Sequence, residues 1–535
     1  MDKSRPSGPV TRRQALAGLG LLPAALATGE AAVTAAASPV PARGFDGQRR
    51  GDLGDGRFLN PVFAGDRPDP TLWRDGDRFL LTHSSFESIP GLMLWSSYDL
   101  VNWEPIGPAL HTYVGSVWAP DLCRVDGRYF IYFPARTAQG RTNYVVWADK
   151  PEGPWSAPVD LHLPAHIDPG HARADDGTRY LFLSGGDRVK LSADGLSTAG
   201  PVEHVIDPWR YPEDWVVEAF APEGPKICRR GNYYYLVTAV GGTAGPPTGH
   251  MVVVSRARTL EGPWEDCPHN PLVRTKSADE RWWSRGHGTL VEAPDGKWWM
   301  VYHGYENGFW TLGRQMLLDP VEWTADGWPV ARGKDLSQPL PMPVPSRGRA
   351  HGQSNCDDFR RNRLGTLWSF FQPARDEASR YQPGSDGLRL LAKGSTPGNA
   401  SPLCLIAGDQ AYEIQVEMLV GEGAEGGLLL FYSERLYAGL GANTTGFVMH
   451  RYGLQRSARP TAGYSRRLYI RLRNDRHIVT IHTSHDGDTW QKFGVQMEVS
   501  GYHHNTMGGF LSLRPALYAA GTGDVRFRDF RYRAL

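Results

Sequence analysis

RPDPTLWRDGDRFLL, residues 67–81, places one aspartate between two prolines, directly ahead of two short strand-like runs joined by an Asp-Gly turn. Proline fixes its own φ and restricts the residue before it, so we expect Asp69 to have an extended backbone. The two runs that flank the turn are predicted to pair as a β-hairpin. Because its backbone is fixed at the start of a strand, the Asp69 carboxylate is suited to contact one particular partner group.

The same pattern returns four more times, and the copies share a polar residue beside Pro or Gly, a short strand, a turn that usually contains Gly, and an aromatic strand. The further copies are APDLCRVDGRYFIYF (119–133), IDPGHARADDGTRYLFL (167–183), PEGPKICRRGNYYYLV (222–237) and RGHGTLVEAPDGKWWMVY (285–302). The turn recurs roughly every 50 to 65 residues, close to the length of a propeller blade. Five copies therefore predict a five-bladed β-propeller.

The composition of the 535-residue chain indicates which classes of binding partner are excluded. Its 58 Lys and Arg nearly cancel its 57 Asp and Glu. No long run of like charge is present, which argues against a nucleic-acid partner or an anionic membrane surface. The 18 Trp, 22 Tyr and 62 Gly favour an all-β protein with many tight turns. We expect a neutral partner, no membrane span and an oligomeric state that composition leaves open.

The innermost strand of each propeller blade lines the central channel, so the residues that open those strands are expected to meet at one mouth of it. These residues are Asp69, Asp121, Asp168, Glu223 and His287. Carboxylates that are brought together and partly desolvated raise one another's pKa, which makes such a cluster costly unless it has a function. We interpret Asp69, Asp168 and Glu223 as a site and Asp121 as a structural residue.

Several motifs of the chain resemble glycoside hydrolase family 43, whose five-bladed propeller enzymes include β-xylosidases, α-L-arabinofuranosidases and arabinanases. The motifs are NPVFAGDRPDP (60–70), the block from Ser84 to Trp103, VWAPDL (117–122), EGPKI (223–227) and LGRQ (312–315). The resemblance implies a glycosidase that removes terminal xylose or arabinofuranose from plant cell-wall carbohydrate. It also implies a carbohydrate substrate as the partner.

The resemblance assigns roles by position. Asp69 matches the general base, Glu223 the general acid, and Asp168 the third carboxylate that tunes and orients the acid. The sugar pocket is implied to be lined by Phe86, Trp118, His250 and Arg314. His287 falls where some members bind a cation, usually Ca²⁺, through water, and the other reading of His287 is a satisfied buried histidine. No cofactor is required for the chemistry.

The chemistry is consistent with this assignment. Inverting hydrolysis of a glycoside needs one carboxylate to deprotonate water and one carboxylic acid to protonate the leaving oxygen, about 6.5–9.5 Å apart. We expect Asp168 to raise the pKa of Glu223, and Arg67 to lower that of Asp69. Arg314 either holds sugar hydroxyls, keeps a carboxylate ionised or forms a surface salt bridge. Glu218 is a rival for the role of acid.

Three alternatives to this enzyme remain. The first is a non-catalytic carbohydrate-binding propeller, which has no reason to keep both Asp69 and Glu223. The second is a propeller glycosidase of other specificity, such as an arabinanase or galactanase. The third is a retaining fructan hydrolase, whose nucleophile is expected in an Asn-Asp-Pro-Asn context that RPDP lacks.

The remaining chain divides into four further segments. Residues 1–37 carry Arg12-Arg13, an apolar run and Ala35-Ala36-Ala37, and resemble a twin-arginine export signal, which predicts a periplasmic or extracellular protein. Residues 38–56 and 346–354 are predicted linkers around a propeller at 57–345. Residues 355–535 alternate as half-buried strands and resemble the concanavalin-like β-sandwich of the same family. This sandwich either binds sugar or narrows the pocket with a loop near Tyr437.

Two smaller features complete the sequence. SHDGDTW (484–490) is predicted to be a hairpin turn. The five cysteines lack metal-ligand spacing, and their odd number leaves at least one thiol unpaired or buried.

Overall fold

Five antiparallel sheets, each a meander of four main strands, follow one another in the first part of the chain. The computed structural model describes residues 39–459 and 465–535, so the predicted export signal lies outside the described residues. Each predicted hairpin forms the first two strands of one sheet, with the Asp-Gly or Arg-Gly turn between them. The five-bladed propeller predicted from the repeat is confirmed.

We number the blades in chain order. Blade 1 comprises Thr71–Asp75, Arg78–Thr82, Gly91–Ser97 and Glu104–Leu110. Blade 2 comprises Asp121–Val125, Arg128–Thr137, Gly140–Ala148 and Val159–Asp160. Blade 3 comprises Gly170–Arg173, Arg179–Leu183, Asp187–Leu191 and Thr198–His204. Blade 4 comprises Glu223–Arg230, Tyr233–Val240, Met251–Ala257 and Glu265–Asp266, and blade 5 comprises Trp282–Glu292, Trp298–Glu306, Gln315–Trp323 and Pro329–Ala331. Short strands Ser116–Val117 and Val273–Arg274 extend blades 2 and 4.

The propeller is a closed ring. The innermost strand of each blade contacts that of the next, and the innermost strands of blades 5 and 1 contact each other. Strand Arg57–Phe58 pairs with Leu340–Pro341, so the two ends of the propeller segment are joined by a clasp. Aromatic and aliphatic side chains pack between successive blades, as Trp103 and Trp299 do between blades 1 and 5. Ring closure brings together residues that are far apart in sequence.

The C-terminal part is a β-sandwich of two antiparallel sheets, as predicted. One sheet contains, in spatial order, Leu454–Arg459, Phe447–Arg451, Leu436–Ala442, Ala424–Ser433, Arg514–Gly521, Leu403–Cys404 and Ser369–Phe371. The other contains Tyr381–Gly384, Gly387–Leu391, Asp524–Ala534, Ala411–Val420, Arg467–Asp475, Ile478–Ser484 and Gln491–Glu498. The residues of Ala411–Val420 alternate between buried and partly exposed, which is the pattern of a strand with one face on the core.

One strand of the propeller segment belongs to a sheet of the sandwich. Ser88–Ile89, which lies between the second and third strands of blade 1, pairs antiparallel with Ser369–Phe371. The neighbouring Phe86 packs in the hydrophobic core of the sandwich. The two domains therefore share backbone hydrogen bonds and a core residue.

The two segments predicted as linkers are packed against the folded domains. In the first, Arg49 is 7% exposed, and its guanidinium lies 2.7 Å from Glu306 of blade 5. Its Nε donates to the carbonyl of Gly408 in the sandwich at 2.6 Å. In the second, the His351 ring packs edge-to-face on Phe63, with ring centroids 5.0 Å apart.

Other local features are small. SHDGDTW forms the turn between two strands of the sandwich, with the Asp486 carboxylate accepting hydrogen bonds from the backbone of Asp488 and Thr489. All five cysteines have free thiols. The one α-helix among the described residues is His504–Met507, and short 3₁₀ turns lie at Phe45–Gly47, Ser184–Gly186, Trp310–Leu312, Glu377–Arg380 and Pro397–Asn399. No helix in the described part of the chain is long and apolar enough to cross a bilayer.

Replacing Arg49 by Met should lower the free energy of unfolding by about 3 kcal/mol, because it leaves the buried Glu306 carboxylate without its nearest cation. Arg57→Met is the matched control, since the pair between Arg57 and Asp55 is exposed (56% and 46%) and solvent screens it, so its loss should change stability much less. Denaturant unfolding of both variants measures the difference. Equal losses would contradict a stabilising role for the segment around Arg49.

Candidate active site

Carboxylates, an imidazole and a guanidinium meet in a pocket at the mouth of the propeller channel. Asp69 and Asp168 lie two residues before the first strands of blades 1 and 3, and Glu223 opens the first strand of blade 4. His287 lies in the inner strand of blade 5, and Arg314 precedes the third strand of that blade. The structure brings together Asp69, Asp168, Glu223 and His287, as the strand positions predicted.

The backbone is left-handed at three of these residues, with φ of 55° at Asp69, 56° at Asp168 and 61° at His287. The extended backbone predicted for Asp69 is therefore wrong. Its N–H donates a hydrogen bond to Nδ1 of His303 at 3.0 Å, and such tertiary contacts outweigh the local preference of a residue before proline. Backbone strain of this kind costs on the order of 1–3 kcal/mol per residue and is concentrated at functional sites.

The carboxylate of Asp69 is buried among cations and hydrogen-bond donors. Nη1 of Arg314 donates to Oδ1 at 2.8 Å, and the Ser84 hydroxyl donates to Oδ2. Nδ1 of His287 lies 3.7 Å from Oδ1. Burial acts to raise the pKa of Asp69, but the charges of Arg314 and His287 outweigh it and hold the pKa well below its ordinary value. Asp69 is therefore ionised, which is the form that a base requires.

The arginine that lowers the pKa of Asp69 is Arg314, and not Arg67, its neighbour in sequence. We predicted this effect for Arg67, but the Arg67 guanidinium lies over the rings of Phe63, at 4.4 Å, and Trp95, at 5.4 Å. Arg314 and Asp69 are 245 positions apart, and they meet because the ring closes between blades 5 and 1. Of the readings left open for Arg314, the geometry fits the one in which it keeps a carboxylate ionised.

Glu223 has the opposite electrostatic environment. Burial raises its pKa above the ordinary value, the negative charge of Asp69 adds to the rise, and His287 and Arg314 act in the other direction. Its side chain is 18% exposed and faces the pocket. We predicted that Asp168 would supply the rise, but burial and Asp69 supply it instead. Glu223 therefore favours the protonated form that an acid requires.

Asp168 acts on the backbone beside Glu223. Its Oδ2 accepts a hydrogen bond from the N–H of Gly224 at 3.2 Å and faces Nε2 of His287 at the same distance. Gly224 has φ of 63°, and a Cβ there would lie 2.7 Å from the His287 ring, so only glycine fits. Asp168 thus fixes the peptide that follows Glu223, which is an orienting function.

His287 is not placed to ligate a metal ion directly, and the cation that the resemblance implies to be bound through water stays a prediction. Its two ring nitrogens face carboxylates, with Nε2 3.2 Å from Asp168 and Nδ1 3.7 Å from Asp69. Burial opposes protonation, but these carboxylates outweigh it and raise the pKa of His287. A protonated imidazole has no lone pair for a metal. Among the described residues, no group of three or more His, Cys, Asp or Glu is arranged to hold a metal ion.

Two further histidines, His250 and His303, lie beneath the pocket. His250, which we predicted as a pocket residue, is fully buried and does not line it. Its Nε2 lies 3.4 Å from Oε1 of Glu223, and its Nδ1 lies 3.2 Å from Nε2 of His303. Burial lowers the pKa of both imidazoles, so both are neutral. Because His303 Nδ1 accepts from Asp69 N–H, the hydrogen bonds assign Nε2–H to both rings, and His250 presents a donor toward Glu223.

The walls of the pocket are aromatic and come from both domains. Phe86 and Trp118 line it as predicted, and Phe510 from the sandwich completes it. The rings of Phe86 and Phe510 stack with centroids 6.3 Å apart, and the Arg314 guanidinium lies within 5.3 Å and 5.6 Å of them. The loop near Tyr437, one of the two readings of the sandwich, does not narrow the pocket. Tyr437 is buried in the sandwich core and is not on the pocket wall.

Two other acidic residues lie outside the site. Asp121 pairs with Lys226 at 3.0 Å and accepts a hydrogen bond from Thr71, which fits the structural role predicted for it. Glu218 is exposed, and its Oε2 accepts from the N–H of Ala244 at 2.7 Å. It does not line the pocket, so Glu223 is better placed as the acid.

Comparisons with known proteins agree with this geometry. The family model described as "Glycosyl hydrolases family 43" matches residues 58–329, and that described as "Beta xylosidase C-terminal Concanavalin A-like domain" matches residues 356–533. The non-reducing end alpha-L-arabinofuranosidase BoGH43B of Bacteroides ovatus is 34% identical over 70% of this chain and 73% of its own length. A xylan 1,3-beta-xylosidase of a Vibrio species is 33% identical over 51% of this chain and 57% of its own length.

A solved structure has the same fold over almost the whole chain. The family 43 protein BlXynB of Bacillus licheniformis superposes with a TM-score of 0.79 at 26% identity, covering 90% of this chain and 100% of that one. Fold, paired carboxylates and both family models lead to one conclusion: this chain is a glycoside hydrolase that belongs to glycosyl hydrolase family 43.

Proposed function

We propose that this glycoside hydrolase is an exported, inverting enzyme that removes terminal xylose or arabinofuranose residues from plant cell-wall oligo- or polysaccharides. The observation that carries the proposal is the placement of two carboxylates in one pocket, Asp69 in contact with the Arg314 guanidinium at 2.8 Å and Glu223 facing the neutral His250. This arrangement lowers the pKa of Asp69, while burial raises that of Glu223. Inverting hydrolysis needs one carboxylate in each protonation state at the same pH. The named relatives act on arabinofuranosides and xylan, which supports this substrate class.

In the proposed reaction, Asp69 removes a proton from water as the water attacks the anomeric carbon, and Glu223 protonates the departing glycosidic oxygen. Arg314 keeps Asp69 ionised through its hydrogen bond to Oδ1. Asp168 orients the peptide after Glu223, and the buried His250 faces the Glu223 carboxyl from below. The proton taken by Asp69 leaves to solvent, and solvent reprotonates Glu223 after the product departs.

Removal of terminal residues fits a pocket whose walls come from both domains. Asp69, Glu223 and Arg314 lie on it. Phe86 and Phe510 wall it from two domains. Activity on an aryl β-xyloside compared with an aryl α-L-arabinofuranoside would distinguish the two candidate sugars.

The catalytic roles predict different losses for two alanine variants. Asp69→Ala should be nearly inactive on every substrate, because no other group activates water. Glu223→Ala should lose a factor of about 100–10,000 in kcat on a natural disaccharide but much less on an activated aryl glycoside, whose leaving group needs little protonation. Glu218→Ala is the matched control and should behave as wild type. If Glu218→Ala instead showed the leaving-group dependence, the acid assignment would be wrong.

The stereochemistry tests the mechanism separately. NMR of the first-formed sugar, recorded before mutarotation, should show the inverted anomer. A retained anomer would overturn the inverting mechanism while leaving the enzyme a glycosidase.

The pH dependence follows from the same two carboxylates. We expect kcat/KM to fall at low pH as Asp69 gains a proton, below its ordinary value of 3.8, and at high pH as Glu223 loses one, above its ordinary value of 4.5. Glu223→Ala, assayed on an activated aryl glycoside, should keep the acidic limb and lose the alkaline limb. An alkaline limb that persists in Glu223→Ala would mean that another group, such as His287, controls it.

Export rests on the N-terminal sequence alone, in which Arg12-Arg13 precede an apolar run and an Ala-rich cleavage site. We expect the variant with both arginines replaced by lysine to stay in the cytoplasm if the twin-arginine route is used. Cell fractionation and activity assays measure this. Secretion of the lysine variant at the normal level would refute the route, and retention of the wild type would refute export.

A further inference from the structure

A second and larger cavity lies between the propeller and the sandwich. Its walls come from the N-terminal segment around Arg49, from blade 1 around Arg67 and His83, and from the sandwich around Arg514. It shares no lining residue with the active-site pocket. The nearest link between the two is Ser84, which lines this cavity and donates a hydrogen bond to Asp69.

Most of the charged side chains on this cavity are arginines. Its charged lining residues are Arg49, Arg50, Arg67, Arg514 and Asp409. Three of the four arginines have a carboxylate partner within ion-pair distance. The pairs are Arg49 with Glu306 at 2.7 Å, Arg50 with Asp52 at 3.5 Å, and Arg514 with Asp66 at 3.0 Å.

Arg67 is the exception. It is 8% exposed, and no carboxylate oxygen of the described residues lies within 4.0 Å of its guanidinium. Nη1 donates to the backbone carbonyl of Asp66 at 3.2 Å, while Nε has no hydrogen-bond partner. Burial, together with the charge of Arg514, lowers the pKa of Arg67 to about 9, and Asp66 acts in the other direction. At neutral pH this is a buried cation without a contacting anion, which is a costly arrangement.

Two further buried polar atoms lie on the same cavity without a partner. They are Nε2 of His83, a residue 4% exposed, and Oγ of Ser85, a residue 9% exposed. Nδ1 of His83 lies 2.9 Å from the carbonyl of Ser84, so Nδ1 carries the hydrogen. Burial lowers the pKa of His83 to about 3, with the charge of Arg67 acting in the same direction. His83 is therefore neutral, and its Nε2 is a hydrogen-bond acceptor without a donor.

We propose that this cavity binds a small oxyanion that also carries a hydroxyl group, with the anionic oxygens on Arg67 and the hydroxyl donated to Nε2 of His83. The chemical class comprises hydroxycarboxylates, sugar acids among them, and hydrogen phosphate. A simple carboxylate satisfies Arg67 but leaves His83 without a donor. The proposed ligand thus provides an acceptor for the guanidinium of Arg67 and a donor for the imidazole of His83, two groups of the same cavity.

The test compares glycolate, acetate and inorganic phosphate with chloride at equal ionic strength, using the full chain. A ligand that binds only the folded state raises the melting temperature with concentration. Glycolate should raise it more than acetate, because only glycolate has the hydroxyl. A response to phosphate but not to glycolate would assign the site to hydrogen phosphate, and no response to any of the three would overturn the proposal.

Two variants locate the binding. Arg67→Met should weaken the apparent affinity about 10- to 100-fold, the range for a hydrogen bond to a charged group, and in chloride it should be at least as stable as wild type because a buried unpaired charge is removed. His83→Phe should make glycolate and acetate equivalent. Arg375→Met, which changes an exposed arginine, is the control and should keep the full response.

Two outcomes would contradict the proposal. If Arg67→Met keeps the full anion response, the anion binds elsewhere, for example beside Arg314 in the active site. If Arg67→Met is destabilised in chloride and wild type shows no anion response, Arg67 serves only to pack against Phe63 and Trp95. Neither outcome affects the assignment of Asp69 and Glu223.

Discussion

The buried ion pair between Arg314 and Asp69 is the interaction on which the active site depends. At 2.8 Å it holds a carboxylate ionised where burial alone would neutralise it. The backbone N–H of Arg314 donates to Asp66, whose other oxygen pairs with Arg514 of the sandwich. The base is therefore connected through two ion pairs to the second domain. The pair of Arg314 with Asp69 forms where the propeller ring closes, and the pair of Arg514 with Asp66 forms where the sandwich packs on the propeller.

The pocket separates the protonation states of its carboxylates by placement of cations rather than by distance from water. Asp69 and Asp168 are buried and the Glu223 side chain is 18% exposed. Arg314 contacts only Asp69 among the three, while His287 lies between Asp69 and Asp168. Glu223 faces the neutral His250 and carries no contacting cation. The contacting cation thus makes the more deeply buried Asp69 a base, while Glu223, without one, is left as an acid.

The local pattern of the chain predicted the blades, the three carboxylates and His287, because each blade repeats one hairpin whose opening residue faces the channel. What it missed came from contacts between distant parts of the chain. Phe510 enters the pocket from the other domain. His303 lies in the strand Trp298–Glu306, where a histidine among aromatic residues was the only feature of the sequence that could have indicated it. The errors on Arg67 and on the backbone of Asp69 have the same cause, since both rested on sequence neighbours while ring closure supplied the actual partners.

The strand Ser88–Ile89, which completes a sheet of the sandwich from within the propeller segment, has a consequence for how such enzymes diversify. Because Phe510 and Phe86 meet across that junction, substitutions in the sandwich loop can reshape the sugar pocket while leaving the carboxylates untouched. Part of the pocket wall is thus encoded far from the catalytic carboxylates in the gene. Recombination that exchanges the sandwich for a homologous one would be expected to alter selectivity through Phe510, and to spare catalysis where the new sandwich keeps the counterpart of Arg514 that pairs with Asp66.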